Sequence, residues 1–559
     1  MKTEKAWALL GLFLLTGPGK LFPIGFDAPG SPEETARALV NEMTDEQALA
    51  QTFMFGWVGA EPSPLILDWI RDRHIGGVKI FGWNTQDTLR LAATVGALQR
   101  ASLEGGQKIP LLVATDQEGG WIRHVKGVTS ETPGNMAIGA SGYPRDAYLS
   151  GYYIGRELAV LGINMNFAPA VDLYTSQDSV IIGPRAFGDD PVRAGILGAA
   201  FVKGQKAAGI IATAKHYPGH GATDLDSHGV LPRINAPFEV LWDRELVPYR
   251  ILSREGIPAV MSGHLAFPNT QAGAVPASLS SWFLGDILRG RIGYRGLIIT
   301  DDLMMYGATS SAGNLSLTAK QALLAGNDII MFSSTPNLND AVWTYLVDSM
   351  KREPGFRDRV RDAARRVLAV KLEYLRGEGA VPYVPDPRII EESLPDPEGA
   401  AFFLDLAARS VTVVPGAAGN VFPLGPEKAG RVLLAGQFGD FFDAGRRAFP
   451  GARSYWYSPS RGAGELVRYA QEADTIIFCL SDAPGLSLLR DLRSLGKRLI
   501  VFSVLNPVYL RELSWADGAV AVYSYAPESF VAGFSAILGR IPPRGQIPFP
   551  LEGARSPDG

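Results

Sequence analysis

The sequence predicts an α/β protein: an N-terminal (β/α)8 barrel followed by a smaller C-terminal α/β sandwich domain. Three observations carry that reading. Across residues 51–332, eight short and nearly continuous apolar runs alternate with helical patterns, as strands covered on both faces do. Most of these runs end in a polar or ionisable cluster, as strands facing a ligand do. A stretch rich in proline and charge, residues 376–400, then precedes a second, shorter alternation. An open doubly wound sheet is the alternative for the first part, since both folds share this periodicity.

At the N-terminus, Lys2 and Lys5 precede a short apolar run, residues 6–15, which Gly17-Pro18-Gly19 breaks. A basic start with a short apolar core reads as a secretory signal over residues 1–25, with a buried helix as the alternative. The run is too short to cross a bilayer, so no stable membrane span is expected. Ser31-Pro32-Glu33-Glu34 then opens a helix: a capping residue, proline in the first turn, and acids at the positive end of the dipole. It begins the expected barrel domain, residues 31–375, whose strands are expected at 51–55, 77–81, 110–114, 164–168, 210–214, 259–262, 296–300 and 328–332. The linker, residues 376–400, carries Pro382, Pro385, Pro387, Pro395 and Pro397 and is expected to be irregular. The second domain, residues 401–559, has expected strands at 410–414, 431–435, 475–480, 498–502 and 518–523.

Composition narrows the class. At 559 residues the chain is long for one domain, so two or three are expected. Hydrophobic residues at 46% against 20% charged supply a sizeable core. A net charge of −4 gives no basic excess, so no nucleic-acid partner is expected. The single cysteine, Cys479, excludes an internal disulfide and reads as a buried strand residue.

The densest chemistry lies in Lys215-His216-Tyr217-Pro218-Gly219-His220-Gly221 and the following Asp226-Ser227-His228, which hold three of the six histidines. An apolar run leads into them, so a strand is expected to end in a loop of proton-carrying groups shaped by Pro218, Gly219 and Gly221. Other strand ends carry Asp116-Gln117-Glu118-Gly119-Gly120, Asp172 with Pro184-Arg185, Gly263-His264 and Thr300-Asp301-Asp302. One aspartate after a strand is often a helix cap. Five such clusters on one rim exceed what caps explain.

These motifs, with Asn166-Phe167-Ala168-Pro169 and Leu303-Met304-Met305, resemble glycoside hydrolase family 3, in the same order, and within it the β-N-acetylglucosaminidase (β-hexosaminidase) branch. The resemblance covers about residues 31–371. It implies an exo-acting retaining hydrolase that removes terminal β-linked N-acetylglucosamine through a covalent glycosyl-aspartate. By that resemblance Asp301 is the nucleophile, aimed into the barrel mouth, with Asp302 turned away. His228 is the general acid/base and Asp226 its partner. Histidine suits the role because it titrates near neutrality and both gives and takes a proton. Asp116, Arg185, Lys215 and His216 are the expected substrate-binding residues. His220 and Glu118 are expected to orient the site, and His264 is open between binding and support. No metal or organic cofactor is implied; the expected partner is a carbohydrate ending in N-acetylglucosamine. The pattern departs in one place. The family follows Asp-Gln-Glu-Gly-Gly with Arg-Val-x-Arg, whereas here stand Trp121-Ile122-Arg123-His124, so both usual arginine places are changed. Trp121 offers either a stacking face or a core contact.

Three other readings fit parts of the chain. A β-glucosidase or β-xylosidase of the same family generally takes its acid from the second domain, and the Asp226-Ser227-His228 triplet speaks against it. A metal-dependent barrel hydrolase would use His216, His220, Asp226 and His228 as ligands. Pro218 and Gly219 keep the first two off one helix face. A sugar-binding protein without turnover has no use for both Asp301 and His228. Water and phosphate are both open as the acceptor of the sugar.

Overall fold

Eight parallel strands close into a barrel in a computed structural model of the chain. The structure describes residues 24–551 except 105–107, 311–312, 417–418, 420 and 459–462. The strands are β1 (Phe53–Gly56), β2 (Gly77–Ile80), β3 (Leu112–Thr115), β4 (Met165–Asn166), β5 (Ile211–Tyr217), β6 (Ala259–Ser262), β7 (Leu297–Asp302) and β8 (Ile329–Phe332). Each pairs with its neighbours in chain order, and β1 pairs with β8, which closes the ring and removes the open-sheet alternative. Of the leader expected over residues 1–25, residues 1–23 lie outside the described residues. Among the described residues no helix is long and apolar enough to cross a membrane.

Two boundaries differ from expectation in a way that matters. Lys215 and His216 belong to β5 rather than to the loop after it, and Asp301 and Asp302 belong to β7. The ladders reach further up the barrel than the apolar runs do: Tyr217 pairs with Ser262, and Asp302 with Met331. Backbone bonds carry the strand onward, while the polar side chains find partners inside the bore.

The pleat then decides where each side chain points. Leu112, Ala114, Ile211, Leu297, Ile299 and Met331 fill the bore, whereas Val78, Ile80, Val113, Ala212 and Ile298 face the helical layer. Counting onward by two places Lys79, Asp116, Lys215 and Asp301 on the bore side and Asp302 on the other. The helices that cover the barrel pack closely. Helices Pro144–Val160 and Pro191–Ala207 meet where a Cβ on Gly151 would stand 2.2 Å from the Phe201 carbonyl oxygen, so only glycine permits the contact.

The second domain is a six-stranded sheet built from β9 (Thr412–Pro415), β10 (Val432–Gly436), β11 (Arg453–Trp456), β12 (Thr475–Leu480), β13 (Arg498–Ser503) and β14 (Gly518–Ala521). Their order is β9-β14-β13-β12-β10-β11, with β9 antiparallel and the rest parallel. Ile476, Phe478 and Leu480 enter one core and Ile477 and Cys479 the other, so helices and loops cover both faces. Sequence reading missed β11, an edge strand of Arg, Ser, Tyr and Trp with no apolar run. The first of these cores also takes in Met136, Ala140, Tyr174 and Ile182 from the barrel, which joins the two domains. Asn506 Nδ2 donates to Tyr174 Oη at 2.8 Å across the same boundary.

The expectation of an irregular linker is corrected. Helix Pro387–Ser393 lies inside it, and a second helix begins at Pro397. Both prolines occupy the first helical turn, where a missing N–H costs nothing, behind Asp386 and Asp396 caps. Prolines that suggested a loop are helix starts.

Candidate active site

The site begins with a chain of charges at the top of the bore. Lys215 Nζ lies 2.5 Å from Asp116 Oδ1 and 2.6 Å from Glu118 Oε1. Arg185 binds Glu118 with two parallel bonds, Nε to Oε2 at 2.9 Å and Nη2 to Oε1 at 2.7 Å. Its Nη2 also lies 3.3 Å from His216 Nε2. His216 Nδ1 meets Asp172 Oδ2 at 2.7 Å, and the backbone N–H groups of His216 and His220 donate to the same carboxylate at 3.1 and 2.7 Å. With the Nδ1 proton given to Asp172, the Nε2 lone pair accepts from the guanidinium. Thus Asp116, Arg185, Lys215 and His216, four sugar-binding candidates from three separate stretches of sequence, stand in one network.

Buried charges are tolerated only when paired. Burial pushes the Asp116 carboxyl up, but Lys215 and Lys79 hold it well below the usual carboxylate range. Glu118 is likewise raised by burial and lowered further by Arg185 and Lys215. Burial works against the Lys215 ammonium, and Asp116 and Glu118 outweigh it, so the pKa rises. Asp172 sits at about 2: burial raises it, and His216 and then His220 bring it down. His220 is pushed down to about 4, by burial first and the neighbouring His216 second.

Asp301 faces this network from the opposite wall. Its Oδ1 accepts the Asp302 N–H at 2.8 Å. Burial raises its carboxyl, but His264, His216, the Asp302 amide and Lys215 together lower it, so it is an anion at neutral pH. Asp302 turns outward and accepts the N–H groups of Met304 and Ser333 at 3.0 and 3.1 Å. His264 is a support: Nε2 meets the Asp302 carbonyl at 3.0 Å and Nδ1 the Ser278 hydroxyl at 2.7 Å. It anchors the end of β7 on which Asp301 stands.

His228 and Asp226 lie apart, on the loop after β5. His228 Nδ1 lies 2.7 Å from Asp226 Oδ1, and the His228 side chain is 76% exposed. Burial raises Asp226's carboxyl, but the N–H and ring of His228 together outweigh it, so its pKa falls. The loop is docked: Gly307 N–H donates to the Ser227 carbonyl at 3.1 Å, and Tyr306 N–H to that of His228 at 3.4 Å. Residues 306 and 307 lie four and five positions beyond the end of β7. The dyad therefore hangs beside the strand that carries Asp301, outside the buried network.

Two participants were missed or left without a role in the sequence. Lys79 binds Asp116 Oδ2 at 2.5 Å from inside β2. Its signal was a lone charge within an apolar run, at the inward parity. Asp172 was marked only as a polar strand end. As for the metal-site alternative, among the described residues no three His, Cys, Asp or Glu side chains are grouped to hold an ion.

Residues 46–370 match the model of the glycosyl hydrolase family 3 N-terminal domain. The chain is 35% identical over 285 residues to beta-hexosaminidase A of Pseudoalteromonas piscicida, covering 48% of this chain and 47% of that protein. It thus spans about half the length of that relative. It is 30% identical over 416 residues to the beta-N-acetylglucosaminidase/beta-glucosidase of Cellulomonas fimi, covering 71% and 69% of the two. The structure is similar to that of a glycoside hydrolase family 3 beta-N-acetylglucosaminidase from Paenibacillus sp. strain FPU-7, with a TM-score of 0.81 at 28% identity over 91% of this chain and 99% of that one.

Proposed function

The chain belongs to glycosyl hydrolase family 3, and on that premise we propose that it removes terminal β-linked N-acetylglucosamine with retention of configuration. Asp301 attacks the anomeric carbon as the glycosidic bond breaks, and His228 gives the Nε2 proton to the departing oxygen. The resulting glycosyl-aspartate ester is cleaved by water, whose proton returns to His228. Asp226, accepting at Nδ1, keeps the exchangeable proton on Nε2 and stabilises the imidazolium. Asp116, Lys215, Arg185 and His216 hold the terminal ring.

One observation carries this reading: the Asp226–His228 dyad is preformed on a loop docked to the segment that follows Asp301. A rate panel of nitrophenyl glycosides tests it. The N-acetyl-β-glucosaminide is expected to turn over fastest, releasing free sugar rather than sugar phosphate in phosphate buffer. Preference for the β-xyloside, or binding without turnover, would remove the proposal. A second reading, joint action on β-glucosides, is favoured by the double name of the Cellulomonas relative. The same panel reads it as a β-glucoside rate within about tenfold of the N-acetylglucosaminide. The basic, apolar start of the chain further supports export from the cytoplasm. N-terminal sequencing of secreted protein tests that, and an intact Met1 counts against it.

A further inference from the structure

The stretch that begins with Asp116 runs on to Trp121-Ile122-Arg123-His124. Lys79 occupies the space beneath. Its side chain is 1% exposed, and its ammonium lies 2.5 Å from Asp116 Oδ2. It also donates to the Ile80 carbonyl at 2.9 Å and lies 3.3 Å from His124 Nδ1. The rings of Phe81 and Phe167 stand 4.6 and 5.3 Å away. A buried ammonium is costly to desolvate; Asp116 offsets part of that cost, and burial still leaves the Lys79 pKa below the usual lysine value. Lys215 takes the other oxygen, Oδ1, at 2.5 Å. Asp116 is thus gripped on both oxygens, by lysines from β2 and β5, and the plane of its carboxylate is set.

His124 completes the group. Its Nδ1 lies against the Lys79 ammonium, and the ring also bonds the Ile80 backbone. Burial, and next the charge of Lys79, push the ring down to about 4, so it is neutral. Barrel geometry fixes what this group can read. β3 and β7 are four strands apart in either direction around the ring, so Asp116 and Asp301 stand on opposite walls. A pyranose with C1 at Asp301 turns its C4 edge toward Asp116.

We propose that Lys79, braced by His124, fixes the sugar-reading face of Asp116. Lys79 is a positioning residue that holds Asp116 for the hydroxyls remote from C1, the C4 hydroxyl first. The inference rests on Asp301 as nucleophile but not on which β-glycoside is preferred. The test is a cycle between side chain and hydroxyl. kcat/KM is measured for the wild type, Lys79→Met and Lys79→Met/His124→Arg, each on the preferred aryl β-glycoside and its 4-deoxy analogue. The wild type is expected to lose on the order of 10²-fold on the deoxy compound. Lys79→Met is expected to treat the two within about threefold, and the double variant to regain the preference. A purely structural defect lowers both substrates alike and leaves the ratio at its wild-type value, which overturns the proposal. So does a wild type indifferent to the 4-hydroxyl. The double variant also guards against misfolding of Lys79→Met. It restores a cation beside Asp116 and is expected to fold and discriminate, and its failure to do either counts against the proposal. Because the substrate is whichever glycoside the panel selects, loss of the N-acetylglucosamine assignment leaves this test intact.

Discussion

His228 Nδ1 lies 2.7 Å from Asp226 Oδ1, and the pair stands at the solvent edge while Asp301 sits in the bore among His264, His216 and Lys215. The two halves of the proposed chemistry are thus held by different means. Asp301 is fixed by a strand and a buried charge network. His228 is fixed by one carboxylate and two backbone bonds from residues 306 and 307.

That contrast sets the first prediction. His228→Ala removes proton donation and leaves the nucleophile in place. kcat/KM is expected to fall about 10²- to 10⁴-fold on alkyl or sugar leaving groups, and much less on a dinitrophenyl glycoside. Equal loss on both, measured side by side, would deny His228 the role of proton donor.

Asp226→Asn keeps the shape of the dyad and removes the charge. It is expected to cost roughly 10- to 100-fold in kcat, with KM little changed, because it acts through the His228 tautomer. A change confined to KM would place Asp226 in binding instead.

Acid stability follows from His220. Its folded pKa of about 4 lies below the usual histidine value, so the unfolded chain takes a proton first as pH falls. The contribution is complete above about pH 6.5 and declines as pH drops toward 4, at about 1.4 kcal/mol per unit. Asp172 adds a second loss between about pH 4 and 2, since its folded value of about 2 is depressed. Urea unfolding at pH 7 and pH 5 reads the histidine part, and His220→Gln is expected to shrink the difference between the two.

The barrel depends on the second domain for solubility. A chain ending before Pro397 would expose Met136, Ala140, Tyr174 and Ile182, which now sit in the shared core. Such a truncation is expected to aggregate, as gel filtration would reveal. A monodisperse and active fragment would contradict the shared-core account.

Much of this was legible in the sequence, for physical reasons. Eight apolar runs must be covered on both faces, and a closed parallel barrel covers them. The inward parity of Asp301 follows from Leu297 and Ile299 four and two residues before it. What was not legible depended on partners distant in sequence. Lys79 looked like an interruption of a strand until Asp116, from β3, was placed against it. Asp172 gained meaning only through the two N–H groups and the imidazole that converge on it from β5 and its loop. The edge strand β11 carried no apolar signal because it has one buried residue among four. Pro387 and Pro397 were read as breaks because capping is settled by the geometry of the preceding aspartate, which composition does not show.

The central claim is that Asp301 forms a bond to the sugar. Incubation with a slow fluorinated N-acetylglucosaminide, followed by protease digestion and mass spectrometry, tests it most directly. The account predicts one sugar per chain, on the peptide containing Asp301, and none on Asp301→Asn. Label on another residue, or turnover through a long burst with no adduct at all, would contradict it.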